Sequence, residues 1–215
     1  MAEALVWSGV QVAVQSALAT ALPITAITRA NPGVVTVTGT APTTGSFVYL
    51  SNIQGMTQVD GRVVRSSAAS GSTFSMEGVD STNFDVYSSG GQAQAITFGT
   101  SLSIALSLNG SGGEAEQIDV TTIHDSIRKT RLGAFSQLVY TGTCIWDPSD
   151  AGFVALKAAS EIKGTRAIRL SFPNGYKVAF AGQIGFSGVP TGSAQGVVET
   201  ALTITVSGPV TNYTT

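Results

Sequence analysis

Apolar residues alternate with polar ones along most of this chain, and only one stretch carries helical spacing. Successive side chains on a strand point to opposite faces, so period-two patterning in β-branched runs calls for sheet. The chain must therefore be mainly β, with a single helix. Val6, Ser8, Val10, Val12 and Val14 alternate with Trp7, Gly9, Gln11, Ala13 and Gln15, which predicts a first strand. From residue 24 to about 91 the runs ITAITRA, VVTVTG, SFVYLS and STFSMEG are short and β-branched. Asn31-Pro32-Gly33, Thr43-Thr44-Gly45 and Ser70-Gly71 punctuate them, a spacing that suits a small barrel. The expected division is a small all-β barrel at residues 24–91, inserted into a larger β unit formed by residues 1–23 and 92–215.

In the larger unit, ITFGTSLSIALSLNG reads as one or two strands, and EAEQIDVTTI as another with acidic residues at its start. Residues 137–146 alternate, with Leu138, Tyr140, Gly142, Cys144 and Trp146 expected in the core. The helix lies in DPSDAGFVALKAASEIKG, at about residues 148–162. Asp147 is the expected N-cap, Pro148 the first helical residue, Asp150 a charge at the positive end of the dipole and Gly164 the stop. Phe153 and Leu156 should face a sheet. RAIRLSF and YKVAFAG flank Pro173-Asn174-Gly175, a hairpin signal, with Ile168, Leu170 and Phe172 sharing a face with Tyr176, Val178 and Phe180. The last strand, VVETALTITVSG, sets Val198, Leu202, Ile204 and Val206 against Glu199, Thr203 and Thr205, and the tail after Gly208 is expected to be loose.

Only 11% of residues are Asp, Glu, Lys or Arg, against roughly 25% in an average soluble domain. Charge is depleted where surfaces become buried against partners, because desolvating it is costly. Assembly is one reading of that deficit; a Ser/Thr/Gly-rich secreted β-domain is the other. A formal net charge of −2 gives no field that would draw nucleic acid or acidic membranes. The lone Cys144 excludes an intramolecular disulfide framework and any multi-cysteine metal site. Near the amino terminus, Glu3 replaces a basic n-region and no continuous apolar run follows, which argues against a signal peptide. No stretch approaches ~18 consecutive apolar residues, so no membrane helix is expected.

Catalytic inventory is thin. His124 is the single histidine, and Asp119 and Asp125 could serve it in a triad, but no G-x-S-x-G elbow is present. Glu114 and Glu116 read as a solvated strand start, and Asp147 and Asp150 as caps. No Walker loop, dinucleotide fingerprint, zinc spacing or calcium loop occurs. No enzymatic activity and no cofactor is expected. Arg128, Lys129 and Arg131 form the densest positive spot, in a polar connection, with Glu114, Glu116 and Asp119 as the nearest acidic counterpart. These charges could pair within one subunit, or between subunits to set register.

The segment IDVTTIHDSIRKTRLG, followed by CIWDPSDAGFVALKAA, FPNGY and VVETALTITVSGPV, resembles the major tail tube proteins of long-tailed, siphovirus-type bacteriophages. That family pattern runs from an IDVTT-like strand through a long loop with a D-S-x-R-K stretch to a strand ending in an aromatic-D-P-S-D turn and a helix. A hairpin turning on Pro-Asn/Asp-Gly and a final strand ending in V-x-G-P complete it. The pattern's charged, glycine-containing end of the loop reads RLGAFSQLVY here. GMTQVDGR and FSMEGVDSTNF in turn resemble the small β-barrel half-domain beside the catalytic cysteine of ubiquitin-activating enzymes, a module that itself holds no active-site residues.

The tail tube resemblance implies a β-sandwich or half-barrel with a flanking helix, built into hexameric rings that stack as a tube. Its implied partners are further copies of the chain, tail tip and tail terminator proteins, and a tape measure protein in the lumen. DNA would pass through without specific binding, as phosphate-contacting lysines would hold it. The implied location is the virion tail, with assembly in the host cytoplasm. Glu114, Glu116, Asp119, His124, Asp125, Arg128, Lys129 and Arg131 are the expected inter-subunit contacts, and a loop at residues 125–133 is expected to meet the neighbouring ring or subunit. A reading from a different class makes the inserted barrel a binding module for a host glycan or protein, with Phe47, Tyr49, Phe74, Phe84 and Tyr87 available to it.

Overall fold

The computed structural model describes residues 7–214. Val6 of the expected first strand lies outside them, and that strand, β1 (Gln11–Leu18), begins at Gln11. Five strands follow: β2 (Leu22–Ile27), β3 (Val34–Val37), β4 (Phe47–Gln54), β5 (Val63–Ser70) and β6 (Thr73–Met76). With the first half of the long β7 (Ser89–Ser101) they lie in the order β2-β3-β6-β5-β4-β7, and β2 pairs with β7 to close a six-stranded barrel. Val35, Val48, Leu50, Phe74, Met56 and Met76 fill it, each fully buried. Strand β5, VVRSSAAS, has no alternation to betray it. The reason is that it is covered on both faces: Val64 points into the barrel and Val63 away, into a second cluster.

Beyond β7 come β8 (Ala105–Ser111), β9 (Ala115–Asp119), β10 (Thr130–Phe135), β11 (Val139–Ile145), the helix α1 (Ala151–Ile162), β12 (Thr165–Ser171), β13 (Lys177–Phe186), β14 (Glu199–Val206) and β15 (Thr211–Tyr213). The second half of β7 pairs with β1, and the sheet continues β1-β12-β13-β14-β11-β8. Phe180, Ile168, Ile204 and Cys144 line its core face, together with Val12 and Val14 from β1 and the partly buried Leu108 from β8. Strands β1 and β8 stand at opposite ends of that run, yet both line one cavity of about 270 Å³ with Trp7 and Val10. The sheet thus curls around its core into a half-barrel.

Helix α1 plugs this core with Phe153, Leu156 and Ala159, as the spacing predicts. Its ends differ from expectation. Asp150, not Asp147, is the N-cap, accepting the Gly152 and Phe153 amides at 2.7 and 3.1 Å. Asp147 instead accepts the Ser149 amide and hydroxyl at 3.0 and 2.6 Å, closing a separate turn. Those bonds hold its carboxyl below the usual carboxylate range, and the helix starts at residue 151 rather than near 148. At the other end Lys163, with φ of 54°, takes the left-handed position one residue before Gly164.

The β12–β13 hairpin pairs Ile168 with Phe180 and Leu170 with Val178. Its turn has three residues: Gly175 donates to the Phe172 carbonyl at 2.9 Å, Phe172 donates to the Tyr176 carbonyl at 2.8 Å, and Gly175 sits at φ of 92°. Such a loop ends in a left-handed residue, which favours glycine there. Tyr176, next to the turn, is exposed rather than in the core.

The tail after Gly208 is not loose. Strand β15 pairs with the first half of β13, and Tyr213 is only 3% exposed. Its hydroxyl accepts the Arg65 amide of β5 at 2.7 Å, and its ring meets Phe47 edge-on at 5.6 Å. With Phe47, Val63, Ala167, Ala179 and Ala181 it forms a cluster joining barrel strands to β12 and β13. Arg169 lies over the Phe98 ring of that cluster at 4.5 Å. Three alternating residues are too few to show a strand in sequence, but one buried aromatic can anchor them.

Candidate functional site

Strands β8 and β11 pair along their length, from Ala105 opposite Cys144 to Ser111 opposite Val139. Beyond Ser111 the two chains leave the sheet and continue as the β9–β10 hairpin, with Arg131 opposite Ile118 and Leu132 opposite Gln117. Strand β10 was not expected: this segment reads as polar connection because Gly133 and Ala134 interrupt its alternation. The glycine has a local reason, since a Cβ at Gly133 would stand 2.8 Å from the Ile118 Cδ1. Ile118 lies across the space a side chain would take.

No residue from 114 to 137 is buried. Ile118, Val120, Ile123, Ile127, Leu132 and Phe135 are all exposed on this arm, Ile123 at 96% and Phe135 at 78%. A two-stranded hairpin alone in water is marginal, and scattered surface apolars are normal while a concentration of them marks a contact surface. The arm is shaped by its own polar bonds instead. Asp119 accepts the Thr121 amide and hydroxyl at 2.9 and 2.6 Å and pairs with Arg128 at 2.9 Å. Asp125 pairs with Lys129 and accepts the Thr122 amide at 3.1 Å. Hydrogen bonds from Thr121, with Arg128 after them, hold the Asp119 carboxyl below its ordinary range; Lys129 and then Thr122 do the same for Asp125.

All eight expected contact residues therefore stand on one arm. Among these eight, two ion pairs form, Asp119 with Arg128 and Asp125 with Lys129. Glu114, Glu116, His124 and Arg131 are exposed and make no ion pair with another described residue. Among the described residues neither Asp119 nor Asp125 is hydrogen-bonded to His124; both accept from threonines and pair with cations. Among the described residues no three His, Cys, Asp or Glu side chains group as a metal site, and no helix is long and apolar enough to cross a membrane. Burial pushes the Cys144 thiol up to about 11, far from a reactive thiolate.

A second surface follows from strand alternation. With Cys144, Leu202, Ile204 and Ile184 on the core side, the opposite side of β8, β11, β14 and β13 carries Ser107, Asn109, Thr141, Thr143, Thr203, Thr205 and Gln183. The register sets Thr141 between Asn109 and Thr203, and Gln183 beside Thr205. Glu199, at one end of β14, and Lys177, at the start of β13, are charged residues of that side. Composition hinted at such a surface, but register was needed to place it on one face. The barrel aromatics are spent on packing: Phe47 and Phe74 are buried, and Tyr49, Phe84 and Tyr87 pack against the cores.

A curled sheet with one helix, an arm lacking any core of its own and a polar, nearly uncharged face define a structural, assembly-type protein. The chain belongs to the phage tail tube protein family (TTP), whose model matches residues 54–215. This is a family of structural virion components of the tail, not of enzymes, and it implies assembly with further copies and other tail proteins. A search of curated proteins finds no match.

Proposed function

We propose that the chain closes into hexameric rings that stack as the tail tube and conduct DNA during ejection. The observation that carries this is the arm: six large apolar side chains exposed on a segment with no buried residue. Such a concentration of exposed apolar side chains marks a surface that another protein covers. The free edge of β8 supports the same reading, since a sheet edge left unpaired is a liability that ring closure removes. In this arrangement residues 125–133, with Glu114, Glu116, Asp119, His124 and Arg131 nearby, contact the neighbouring ring or subunit.

The hydroxyl- and amide-bearing face of β8, β11, β14 and β13 lines the lumen. Apart from Lys177 at the far end of β13 it offers phosphates no lysine or arginine, so passing DNA exchanges few counterions and is not held. The unit at residues 24–91 is an insertion displayed outside. Tail tip, tail terminator and tape measure proteins complete the tail, and the rings form in the host cytoplasm before entering the virion.

The test is to replace residues 114–136 with a short Gly/Ser turn. Because β8 and β11 already pair up to Ser111 and Val139, the excision leaves an ordinary hairpin and a folded subunit. The variant is expected to sediment as soluble monomer or single rings, with no tubes by electron microscopy. Normal tubes from it would refute the role of the arm.

A further inference from the structure

The arm needs a receiving surface, and its charges and shape indicate one. On the side of the hairpin that carries Ile118, the register places Arg131 directly across, with Glu116 two residues before Ile118 on β9 and Val120 two residues on, just past the end of that strand. Ile118 is 51% exposed and Val120 40%. Glu116 and Arg131 are then diagonal neighbours, about 7–8 Å apart, and Ile118 stands beside both, next to Glu116 along the strand and across from Arg131. This pattern of acid, aliphatic knob and base faces solvent, and neither charge is paired with another described residue.

The outward stripe of α1 is its complement. Val154, Ala158 and Ile162 follow one another at four-residue spacing, with Val154 56% and Ile162 63% exposed. Ala158 leaves a dent between two larger side chains. Lys157 and Glu161 run beside this row, one turn and about 6 Å apart, and neither pairs with the other or with another described residue. A depression of about 370 Å³, lined by Pro148, Phe153, Val154, Lys157, Ala158 and Glu161, opens there. The helix therefore offers base, dent and acid at nearly the arm's own spacing.

We propose that the Ile118 side of the arm docks on the outward stripe of α1 in a second copy of this chain. Ile118 enters the dent over Ala158, Glu116 meets Lys157 and Arg131 meets Glu161. This rests on the reading that the arm contacts another copy, and it names where. Aliphatic burial holds the contact, while the two crossed charge pairs fix its direction, because docking in the reverse sense would set like charges against each other.

Charge exchange tests it. The double reversal Lys157→Glu with Glu161→Lys, at exposed positions, should keep the parent's thermal unfolding and lower tube yield by roughly tenfold or more. Adding Glu116→Lys with Arg131→Glu should restore tubes. Undiminished tubes from the helix reversal, or no recovery in the fourfold variant, would overturn the site. A second measurement does not depend on yield: Ile118→Cys and Ala158→Cys proteins, mixed and oxidised, should form a disulfide-linked dimer that neither forms alone. The native Cys144, fully buried, should not interfere, and absence of the cross-link counts against the site. If excising the arm abolishes tubes while the helix reversal does not, the docking site alone fails; if tubes survive the excision, the role of the arm fails with it.

Discussion

Truncating Tyr213, the third residue from the end of the sequence, should cost as much as truncating a core aromatic. Its ring is 3% exposed, packs edge-on against Phe47 at 5.6 Å and lies 4.8 Å beneath the Arg65 guanidinium. Removing a buried aromatic side chain typically costs about 3–5 kcal/mol, a large part of the ~5–15 kcal/mol that holds a domain folded. Tyr213→Phe keeps the ring and removes only the acceptor of the Arg65 amide, held at 2.7 Å, for which about 1–3 kcal/mol is expected. Asn212→Ala, between the two buried residues Thr211 and Tyr213 but itself exposed, should stay within about 0.5 kcal/mol of the parent. Urea unfolding of the three variants, in the background lacking the arm so that assembly does not intrude, gives the ranking directly. If Tyr213→Ala unfolded at the same urea concentration as Asn212→Ala, the tail would be the loose segment its sequence suggests, and the account of β15 would be wrong.

Two other perturbations bear on the fold. Asp150→Ala removes the acceptor of two helix amides and should cost about 0.5–2 kcal/mol, whereas Asp147→Ala, which opens only the preceding turn, should cost less in the same unfolding assay. Burial raises the Cys144 thiol from 9.0 to about 11 and, as the main cause, the Tyr213 phenol from 10.0 to about 12. Each keeps its proton in the folded chain above the pH at which the unfolded chain releases it, so between pH 9 and about 12 the folded state binds more protons. Stability is therefore full below pH 9 and falls as pH rises through that window. A melting temperature flat from pH 9 to 11 would contradict this burial, as would rapid reaction of Cys144 with a thiol reagent at pH 8.

What the sequence disclosed was whatever a short local pattern can encode. Val34 to Val37, the alternation of residues 137–146, and Phe153 with Leu156 on one helix face each lie where periodicity puts them, because each element is covered on one side. The pattern failed where that condition failed. Strand β5 is covered on both faces, β10 on neither, and β15 is too short to show a period. Capping was misplaced by one turn for a related reason: Asp147 and Asp150 are both good caps in sequence, and only the chain's path decides which of them the helix uses. The seven charged residues of the arm, with His124 among them, were legible as a cluster. Its more telling feature, Ile118, Ile127, Leu132 and Phe135 standing in solvent, was not, because apolar residues in a strand are ordinarily read as core. Likewise the threonines of β11 and β14 become a surface only when the register sets Thr141 against Thr203.

In the proposed tube, the exposed arm and the free sheet edge of each subunit are covered by further copies of the chain. Negative-stain electron microscopy of the purified full chain, at rising concentration, tests that most directly. The account predicts tubes of constant diameter, built of six-fold rings around an open channel and lost when residues 114–136 are replaced. A chain that stays monomeric and monodisperse at high concentration, arm intact, would contradict it.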